Sequence, residues 1–228
     1  MSSSESVNEV PGGRNAIAAL RRFNRPRAPE ERCDLCAAAL SPEHQHLIEP
    51  AKRQIVCACD ACAILFGGGE GMRYRRVPRR IEHWSDFQMT DLQWQGLGVP
   101  IALAFFYYSS PAKEVITMYP SPAGATEALL PNEAWEALFE TNPRLRELEH
   151  DVEALLVNRI NGARDVYRAP IDEFFKLVGL VRSNWRGLSG GVELWQKIGS
   201  FFDDLKRRSE QPKGAELTPH AVQPRTIT

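Results

Sequence analysis

The residues of this chain best suited to chemistry are its five cysteines, which all fall within thirty of the 228 positions. Four of them form two Cys-x2-Cys pairs, Cys33 with Cys36 and Cys59 with Cys62, and 22 residues separate the pairs. Two such pairs form a tetrahedral four-sulfur site when the chain between them folds back as a hairpin. The sequence therefore predicts a metal site with these four cysteines as ligands.

The fifth cysteine, Cys57, and two histidines, His44 and His46, lie between the pairs. Cys57 could replace Cys59 as a ligand, stay free or act as a redox partner, and we interpret it as a spare. The two histidines could be solvent-exposed loop residues or extra or substitute ligands. The sequence leaves these alternatives open.

Zinc is the default metal for a four-cysteine site of this kind. Iron is the alternative, because rubredoxins also use two Cys-x2-Cys pairs. The pairs here read Cys-Asp-Leu-Cys-Ala and Cys-Asp-Ala-Cys-Ala, whereas rubredoxin pairs usually read Cys-Pro-x-Cys-Gly. This difference favours zinc.

The elements that must position the cysteines can also be predicted. Residues 48–56 favour a hairpin with its turn at 50–53, which would bring the two pairs together. Residues 60–66 favour a helix whose N-terminus carries the second pair, and the positive end of the helix dipole favours thiolates there. A turn with the first pair, a hairpin and a helix with the second pair are the arrangement of a treble clef.

After residue 80 the pattern changes to strands joined by turns. Residues 101–108 and 114–119 are rich in β-branched and aromatic side chains and flank a turn, which predicts a hairpin. Asn161 and Gly162 lie between two further apolar segments, and Asn-Gly is typical of a two-residue hairpin turn. Both hairpins indicate antiparallel pairing.

Two helices are predicted at residues 170–185 and 192–208, because apolar side chains recur there at helical spacing. Residues 120–126 contain Pro, Ser, Gly and Thr, and we expect a loop. The predicted fold class is α+β, with a small treble-clef-like zinc module before a larger domain of antiparallel strands and two C-terminal helices. The predicted divisions are a mostly disordered basic segment (1–29), the Cys-rich zinc module (30–80), the α+β domain (81–208) and a disordered tail (209–228).

Charge is distributed unevenly, although the formal net charge is only −1. Residues 1–80 carry 13 Lys and Arg against 9 Asp and Glu, whereas residues 81–228 carry 15 against 20. This asymmetry could mark a docking surface, but we interpret it as two solvated surfaces. No apolar segment is long enough to span a membrane, and no secretory signal is recognised at the N-terminus. Reduced cysteines then predict a cytoplasmic protein.

Candidate partner-binding residues lie in two segments outside the cysteines. The first has arginines around a tyrosine, and the second has a tryptophan and an arginine before a glycine-rich loop that separates the last two helices. These candidates are Arg73, Tyr74, Arg75, Arg76, Trp185 and Arg186. The first set, extended by Arg79 and Arg80, supports the alternative of a nucleic-acid-binding zinc module. The Gly-x-Ser-x-Gly at residues 187–191 lies between two predicted helices, not at the strand-to-helix turn of a nucleophile elbow, and we assign no catalytic residue.

The cysteine pairs, together with His44-x-His46-Leu-Ile-x-Pro50, resemble the zinc-bound scaffold of HNH endonucleases. Those enzymes also need metal-binding residues on the helix after the second pair. That segment reads Ala61-Cys-Ala-Ile-Leu-Phe66 here and has no His or Asn. The resemblance implies a shared scaffold without nuclease activity.

The wider chain resembles an uncharacterised bacterial family associated with gene sets for high-affinity, aerobic nickel–iron hydrogenases. The segments that carry this resemblance are 31–36, 57–59, 73–78, 119–127, 153–159 and 185–191. It implies a non-enzymatic accessory or maturation protein that docks hydrogenase subunits or maturation factors. A nucleic-acid-binding module and a rubredoxin-like iron electron-transfer protein are the alternatives.

Overall fold

The computed structural model describes residues 31–68 and 71–210. The disorder predicted for residues 1–29 and 209–228 lies outside the described residues except at Ser209 and Glu210, which are helical, so the prediction is wrong for these two. Within them, five α-helices and nine strands form a mixed α+β structure with two antiparallel sheets, as predicted. The strands are β1 (Gln45–Glu49), β2 (Gln54–Ala58), β3 (Arg75–Arg76), β4 (Glu82–His83), β5 (Leu103–Ser109), β6 (Glu114–Ser121), β7 (Gly124–Ala128), β8 (Glu153–Asn158) and β9 (Asp165–Pro170). The helices are α1 (Asp60–Phe66), α2 (Asp91–Gly96), α3 (Asn132–Thr141), α4 (Ile171–Asn184) and α5 (Val192–Glu210).

The small sheet has the strand order β2-β1-β3 and contains the hairpin predicted between the cysteine pairs. Successive side chains of a strand point to opposite faces of a sheet. Leu47 packs with the cysteines on one face, while Ile48 on the other face joins the core of the larger sheet. The small sheet therefore has the cysteine cluster on one face and the rest of the protein on the other.

The larger sheet has the strand order β4-β9-β8-β5-β6-β7. Phe105 of β5 is opposite Leu156 of β8, which is opposite Tyr167 of β9, and all three pack under α4 and α5. Phe106 and Leu155 point to the other face and pack against residues of α2 and α3. Because helices cover both faces, β5 is a continuous apolar segment rather than an alternating one.

The antiparallel pairing of β8 and β9 around Asn161 and Gly162 is confirmed, and both residues have positive φ angles, 53° and 82°. The two-residue turn is wrong, because residues 159–164 connect the strands and include a 3-10 turn at Ile160–Gly162. The loop predicted at residues 120–126 is wrong. β6 continues to Ser121 and β7 begins at Gly124, so only two residues form the turn. The Ser121 hydroxyl donates to the Gly124 carbonyl, and Gly124 adopts a φ of 129° that suits glycine.

The two C-terminal helices are confirmed, and α5 extends two residues beyond the predicted end, through Glu210. The division at residue 80 stays a prediction. Ile48 and Val77, which come before it, are buried in the same core as Phe174. Among the residues described, no helix combines the length and the apolar character that crossing a bilayer requires.

Candidate metal centre

The first cysteine pair lies in a tight loop that the backbone closes on itself. Arg32 and Ala39 form an isolated antiparallel bridge, and the Cys33 N–H donates to the Ala38 carbonyl at 2.8 Å. The Ala37 N–H donates back to the Cys33 carbonyl, also at 2.8 Å. This closure places both cysteines of the pair on one side of the loop.

The second pair is positioned by the junction of β2 and α1. Cys59 is the N-cap residue of α1, with extended backbone angles, and Cys62 lies in the first turn of the helix. Asp34 connects the two pairs, because its carboxylate accepts the Cys57 N–H at 2.7 Å and its N–H donates to the Cys57 carbonyl at 2.9 Å. The first loop is thereby held against the end of β2.

The four sulfur atoms of Cys33, Cys36, Cys59 and Cys62 all lie within 4.8 Å of one another, an arrangement that could hold a metal ion. The Cys36 and Cys59 Sγ atoms are 3.7 Å apart. Four sulfurs each about 2.3 Å from a tetrahedral metal ion are separated by roughly 3.8 Å. The distance between the Cys36 and Cys59 sulfurs therefore already matches that of two ligands on one tetrahedral metal ion.

The electrostatics of the cluster differ between its two buried cysteines. Burial raises the pKa of Cys33, but hydrogen bonds from the backbone N–H groups of Cys59, Leu35 and Cys36 lower it by more. The resulting pKa is about 6. Burial, together with the other cysteines of the cluster, raises the pKa of Cys62 to about 12. A cation among the sulfurs would favour the thiolate form of Cys62 against this burial.

His44, His46 and Cys57 form a second group, with one ligand atom of each within 4.8 Å of the others. His46 is directly opposite Cys57 in the β1–β2 pair. The His46 Nδ1 lies 2.7 Å from the carboxylate of Asp172 at the start of α4. The structure thus separates these three residues from the four-cysteine cluster.

Asp172 was not recognised in the sequence, and no sequence signal connects it to His46, which is 126 positions away. Burial raises the pKa of its carboxyl, but the His46 ring and Lys176 lower it more, so the pKa lies below the ordinary value. Asp172 is therefore an ionised acceptor near neutral pH, buried beside the second group of candidate ligands.

Residues 32–209 match the family described as "Family of unknown function (DUF5947)". The protein belongs to this family. No curated protein and no solved structure gives a significant match to the chain. The DUF5947 match begins one residue before Cys33 and ends within α5, so the family includes both the cysteine cluster and the larger sheet.

The arginines proposed as a partner surface make intramolecular contacts. Arg73 donates two hydrogen bonds, both 3.1 Å long, to the Glu49 carboxylate. Arg75 forms ion pairs with Asp151 at 3.0 Å and with Glu149 at 3.2 Å. Arg76 donates to Gln45, and the half-buried Tyr74 packs beside the cysteine cluster.

Arg79 and Arg80 are also engaged within the protein. Arg79 donates to the carbonyls of residues 43 and 44, and Arg80 donates to the Glu153 carboxylate at 3.0 Å. Glu153 is fully buried and also pairs with Arg168. The arginines of residues 73–80 therefore serve mainly to attach this segment to its neighbours.

Trp185 and Arg186 lie at the end of α4, at the start of the loop that joins it to α5. Trp185 is partly buried against the main core, and its indole N–H donates to the Gly187 carbonyl at 2.8 Å. Arg186 forms a backbone bridge with Gly190 and leaves its side chain exposed. Trp185 also lines a groove of about 420 Å³ between the helices and the β6–β7 turn.

Proposed function

We propose that this protein is a non-enzymatic accessory protein with a structural zinc site, which acts in nickel–iron hydrogenase biogenesis by docking a protein partner. The observation that carries the docking proposal is an apolar groove whose rim exposes large hydrophobic side chains. The resemblance to a family associated with hydrogenase gene sets supplies the partner class, namely hydrogenase subunits or their maturation factors.

A structural role for the metal is supported by the ligand set. Four cysteines complete a tetrahedral shell and leave no position for substrate, which is typical of structural zinc sites. The loop of the first pair, the β1–β2 hairpin and the helix carrying the second pair support a treble-clef assignment. The five cysteines are free thiols, which suits the cytoplasmic location proposed here.

The groove is lined by residues of the β6–β7 hairpin, the end of α4 and the first turn of α5. Tyr119 and Pro122 from the β6–β7 hairpin face Trp185, Leu194 and Trp195 from the C-terminal helices. Contiguous exposed apolar surface in a soluble protein is typical of an interaction site. The groove thus supports docking of an apolar segment of the partner.

Beside the groove, Leu188 is fully exposed and Val192 is 75% exposed. The Trp195 indole N–H donates to the Ser189 carbonyl at 3.0 Å, which holds the inter-helix loop over α5. Tryptophan and arginine side chains at the centre of an interface commonly carry much of the binding free energy, and this loop begins with Trp185 and Arg186. We therefore prefer the inter-helix loop, residues 185–191, over the arginines of residues 73–80 as the docking surface.

The nucleic-acid alternative is weakened by the contacts of its arginines. Arg73, Arg75 and Arg80 are each within 3.1 Å of a carboxylate oxygen of this chain. Phosphate would have to compete with those carboxylates for the guanidinium groups. Binding that depended on several arginines would also weaken steeply with salt, and a filter-binding titration at two salt concentrations tests for it.

The test of the docking proposal is capture of partners by the tagged full-length chain in a host that produces a high-affinity nickel–iron hydrogenase. We expect hydrogenase subunits or maturation factors with the native chain, and at least about a tenfold loss with Leu188→Asp, since an unpaired carboxylate buried against an apolar partner costs about 1.4 kcal/mol or more. Capture that contains neither class of protein, or is unchanged by Leu188→Asp, contradicts the proposal.

A matched control for this experiment is Leu129→Asp. Leu129 is 94% exposed, so the substitution has the same chemistry at a comparably exposed leucine. It follows the end of β7, at the opposite end of that strand from the β6–β7 turn that lines the groove. We expect Leu129→Asp to capture the same partners as the native chain.

The metal is tested separately by elemental analysis of the purified protein. We expect zinc and no iron in the four-cysteine site, and a colourless solution. Iron with visible thiolate-to-iron absorption would support the rubredoxin-like electron-transfer alternative instead.

A further inference from the structure

We infer that His44, His46 and Cys57 form a second metal site, separate from the four-cysteine cluster, that binds a divalent transition-metal ion with two imidazoles and one thiolate. This inference goes beyond the docking role and does not depend on it. It concerns metal binding at residues that neither the structural zinc site nor the docking groove uses.

The first argument is the geometry of the group. His46 and Cys57 are partners across β1 and β2, and a ligand atom from each lies within 4.8 Å of one from His44. Nitrogen and sulfur ligands about 2.0–2.3 Å from a tetrahedral ion are separated by roughly 3.3–3.6 Å. Small side-chain rotations would therefore bring the three atoms onto one ion.

The second argument is the free nitrogen of His44. Its Nδ1 lies 3.0 Å from the Ser41 carbonyl and 3.6 Å from a Glu31 carboxylate oxygen. A carbonyl oxygen can only accept, so Nδ1 carries the proton and Nε2 has the lone pair. The His44 side chain is 9% exposed, yet within residues 31–68 and 71–210 its buried Nε2 has no hydrogen-bond partner.

A buried polar atom without a partner needs an explanation, because buried nitrogens almost always have one. The neighbouring ring of His46 is edge-on to His44, with centroids 4.9 Å apart. A metal ion between the two rings and Cys57 would satisfy the His44 Nε2 lone pair directly.

The third argument is the orientation of His46. Its Nδ1 donates to the Asp172 carboxylate at 2.7 Å, which leaves Nε2 as the free ligand atom. A ligand histidine commonly donates its other ring nitrogen to a carboxylate in this way, and the pairing fixes the tautomer and the ring. A structural His–Asp pair would explain His46 alone but not the free nitrogen of His44.

The chemistry of the ligands indicates the metal class. Imidazole and thiolate together suit zinc and other late first-row ions rather than magnesium or calcium. Three protein ligands leave one tetrahedral position, unlike the closed four-cysteine shell. A cleft of about 410 Å³, lined by His44 and His46 together with Arg79, Asp172 and Lys176, lies beside the group. Water or a small ligand in that cleft could complete the coordination.

The experiment is a metal titration of the full-length protein that already holds one tightly bound zinc. We expect a second equivalent of Zn²⁺ to bind, and a second equivalent of Co²⁺ to give tetrahedral visible absorption with a thiolate-to-cobalt band. His44→Ala and Cys57→Ser should each abolish the second equivalent and keep the first. Asp172→Asn, which preserves shape, should weaken the second site by about 10–100-fold.

The matched control removes histidines outside the group. The chain has five histidines, and the double variant His150→Ala, His220→Ala should keep the second equivalent and its cobalt spectrum. A native protein that binds only one equivalent overturns the inference. So does a second equivalent that persists in His44→Ala and Cys57→Ser, with the fold of each variant checked by its circular dichroism.

Discussion

The cysteine-rich segment and the larger sheet domain are stabilised in different ways. The apolar cluster around the cysteines has only Leu47, Val56, Ala58 and Ala63 buried with two of the cysteines. The larger domain has helices on both faces of a six-stranded sheet, and each face is rich in buried aliphatic and aromatic side chains. A small apolar core cannot offset the conformational entropy of folding, so small modules commonly depend on a metal.

The two regions are joined by a mixture of apolar and charged contacts. Ile48 and Val77 enter the core of the larger domain, while Arg75 and Arg80 pair with Asp151 and buried Glu153. The interpretation of the uneven charge as two solvated surfaces is therefore wrong for these arginines. The basic region docks, in part, on the acidic region of its own chain.

The largest expected effect is on the metal of the cysteine-rich segment. The double variant Cys33→Ser, Cys36→Ser should unfold this segment, since zinc contributes about 10–16 kcal/mol to folding of small zinc modules. Hydrogen exchange monitored by mass spectrometry should show loss of protection in β1 and β2. All five tryptophans lie after residue 80, so the tryptophan-detected unfolding transition of the larger domain should persist.

The control for this variant is Cys57→Ser, which removes a thiol outside the four-cysteine cluster. It should preserve both the metal content expected for that cluster and the protection of β1 and β2. Unchanged zinc content in the double variant would mean that the assigned ligand set is wrong. Simultaneous loss of the tryptophan transition would mean that the two regions fold as one cooperative unit.

The second effect concerns the core of the larger domain. Phe174 is fully buried, and its ring centroid lies 4.5 Å from that of Phe105. Phe174→Ala should lower the free energy of unfolding of this domain by about 3–5 kcal/mol, because it removes apolar contacts and leaves a cavity. Urea denaturation followed by tryptophan fluorescence measures the change.

Leu92→Ala is the corresponding control in the same domain, since Leu92 is 79% exposed. Its effect should stay within about 0.5 kcal/mol. Equal effects of the two substitutions would contradict the assignment of Phe174 to the core. The zinc content should be native in both variants, in contrast to the cysteine variant.

Features set by neighbouring residues could be predicted from the sequence. The spacing of Cys33 and Cys36 predicted a ligand pair, and Asn161-Gly162 predicted a hairpin through its tolerance of positive φ. The segment 120–126 was misassigned because its Pro, Ser and Gly content is typical of loops. In the structure, pairing with β6 makes most of it strand, and only two residues turn.

Features that depend on distant residues could not be predicted in the same way. His46 and Asp172 are 126 positions apart, and only the packing of the small sheet against α4 brings them together. The arginines of residues 73–80 read as a free basic surface, because no local pattern identifies Glu149, Asp151 or Glu153 as their partners. Tertiary contacts thus determine both the second candidate site and the choice of the proposed docking surface.

The third effect concerns the contact between the two regions. Asp151 is 3% exposed, accepts the Ser110 N–H at 2.8 Å and pairs with Arg75 at 3.0 Å. Asp151→Asn should cost about 1.5–3 kcal/mol, because it weakens a buried charge-assisted hydrogen bond, and asparagine tolerates the positive φ of 64° at this position. Hydrogen exchange should increase in β3 before it increases in β8.

Glu149→Gln is the matched control, because Glu149 also pairs with Arg75 but is 53% exposed. Solvent screens this pair, so the expected loss is at most about 1 kcal/mol. If both variants have the same small effect, the contact between the regions is apolar, through Ile48 and Val77, rather than ionic.

The smallest effect is a local one, confined to the larger domain. The Thr90 hydroxyl accepts the Gln93 N–H at 3.1 Å, and the Gln93 side chain accepts the Thr90 N–H at 2.9 Å, so the two residues form a capping box at the start of α2. Thr90→Ala should cost about 1 kcal/mol in the tryptophan-detected transition, and Thr90→Ser should restore most of it. Protection of β1 and β2 should not change in either variant. A change there would show that α2 and the cysteine-rich segment are energetically coupled, which would contradict two regions stabilised by separate means.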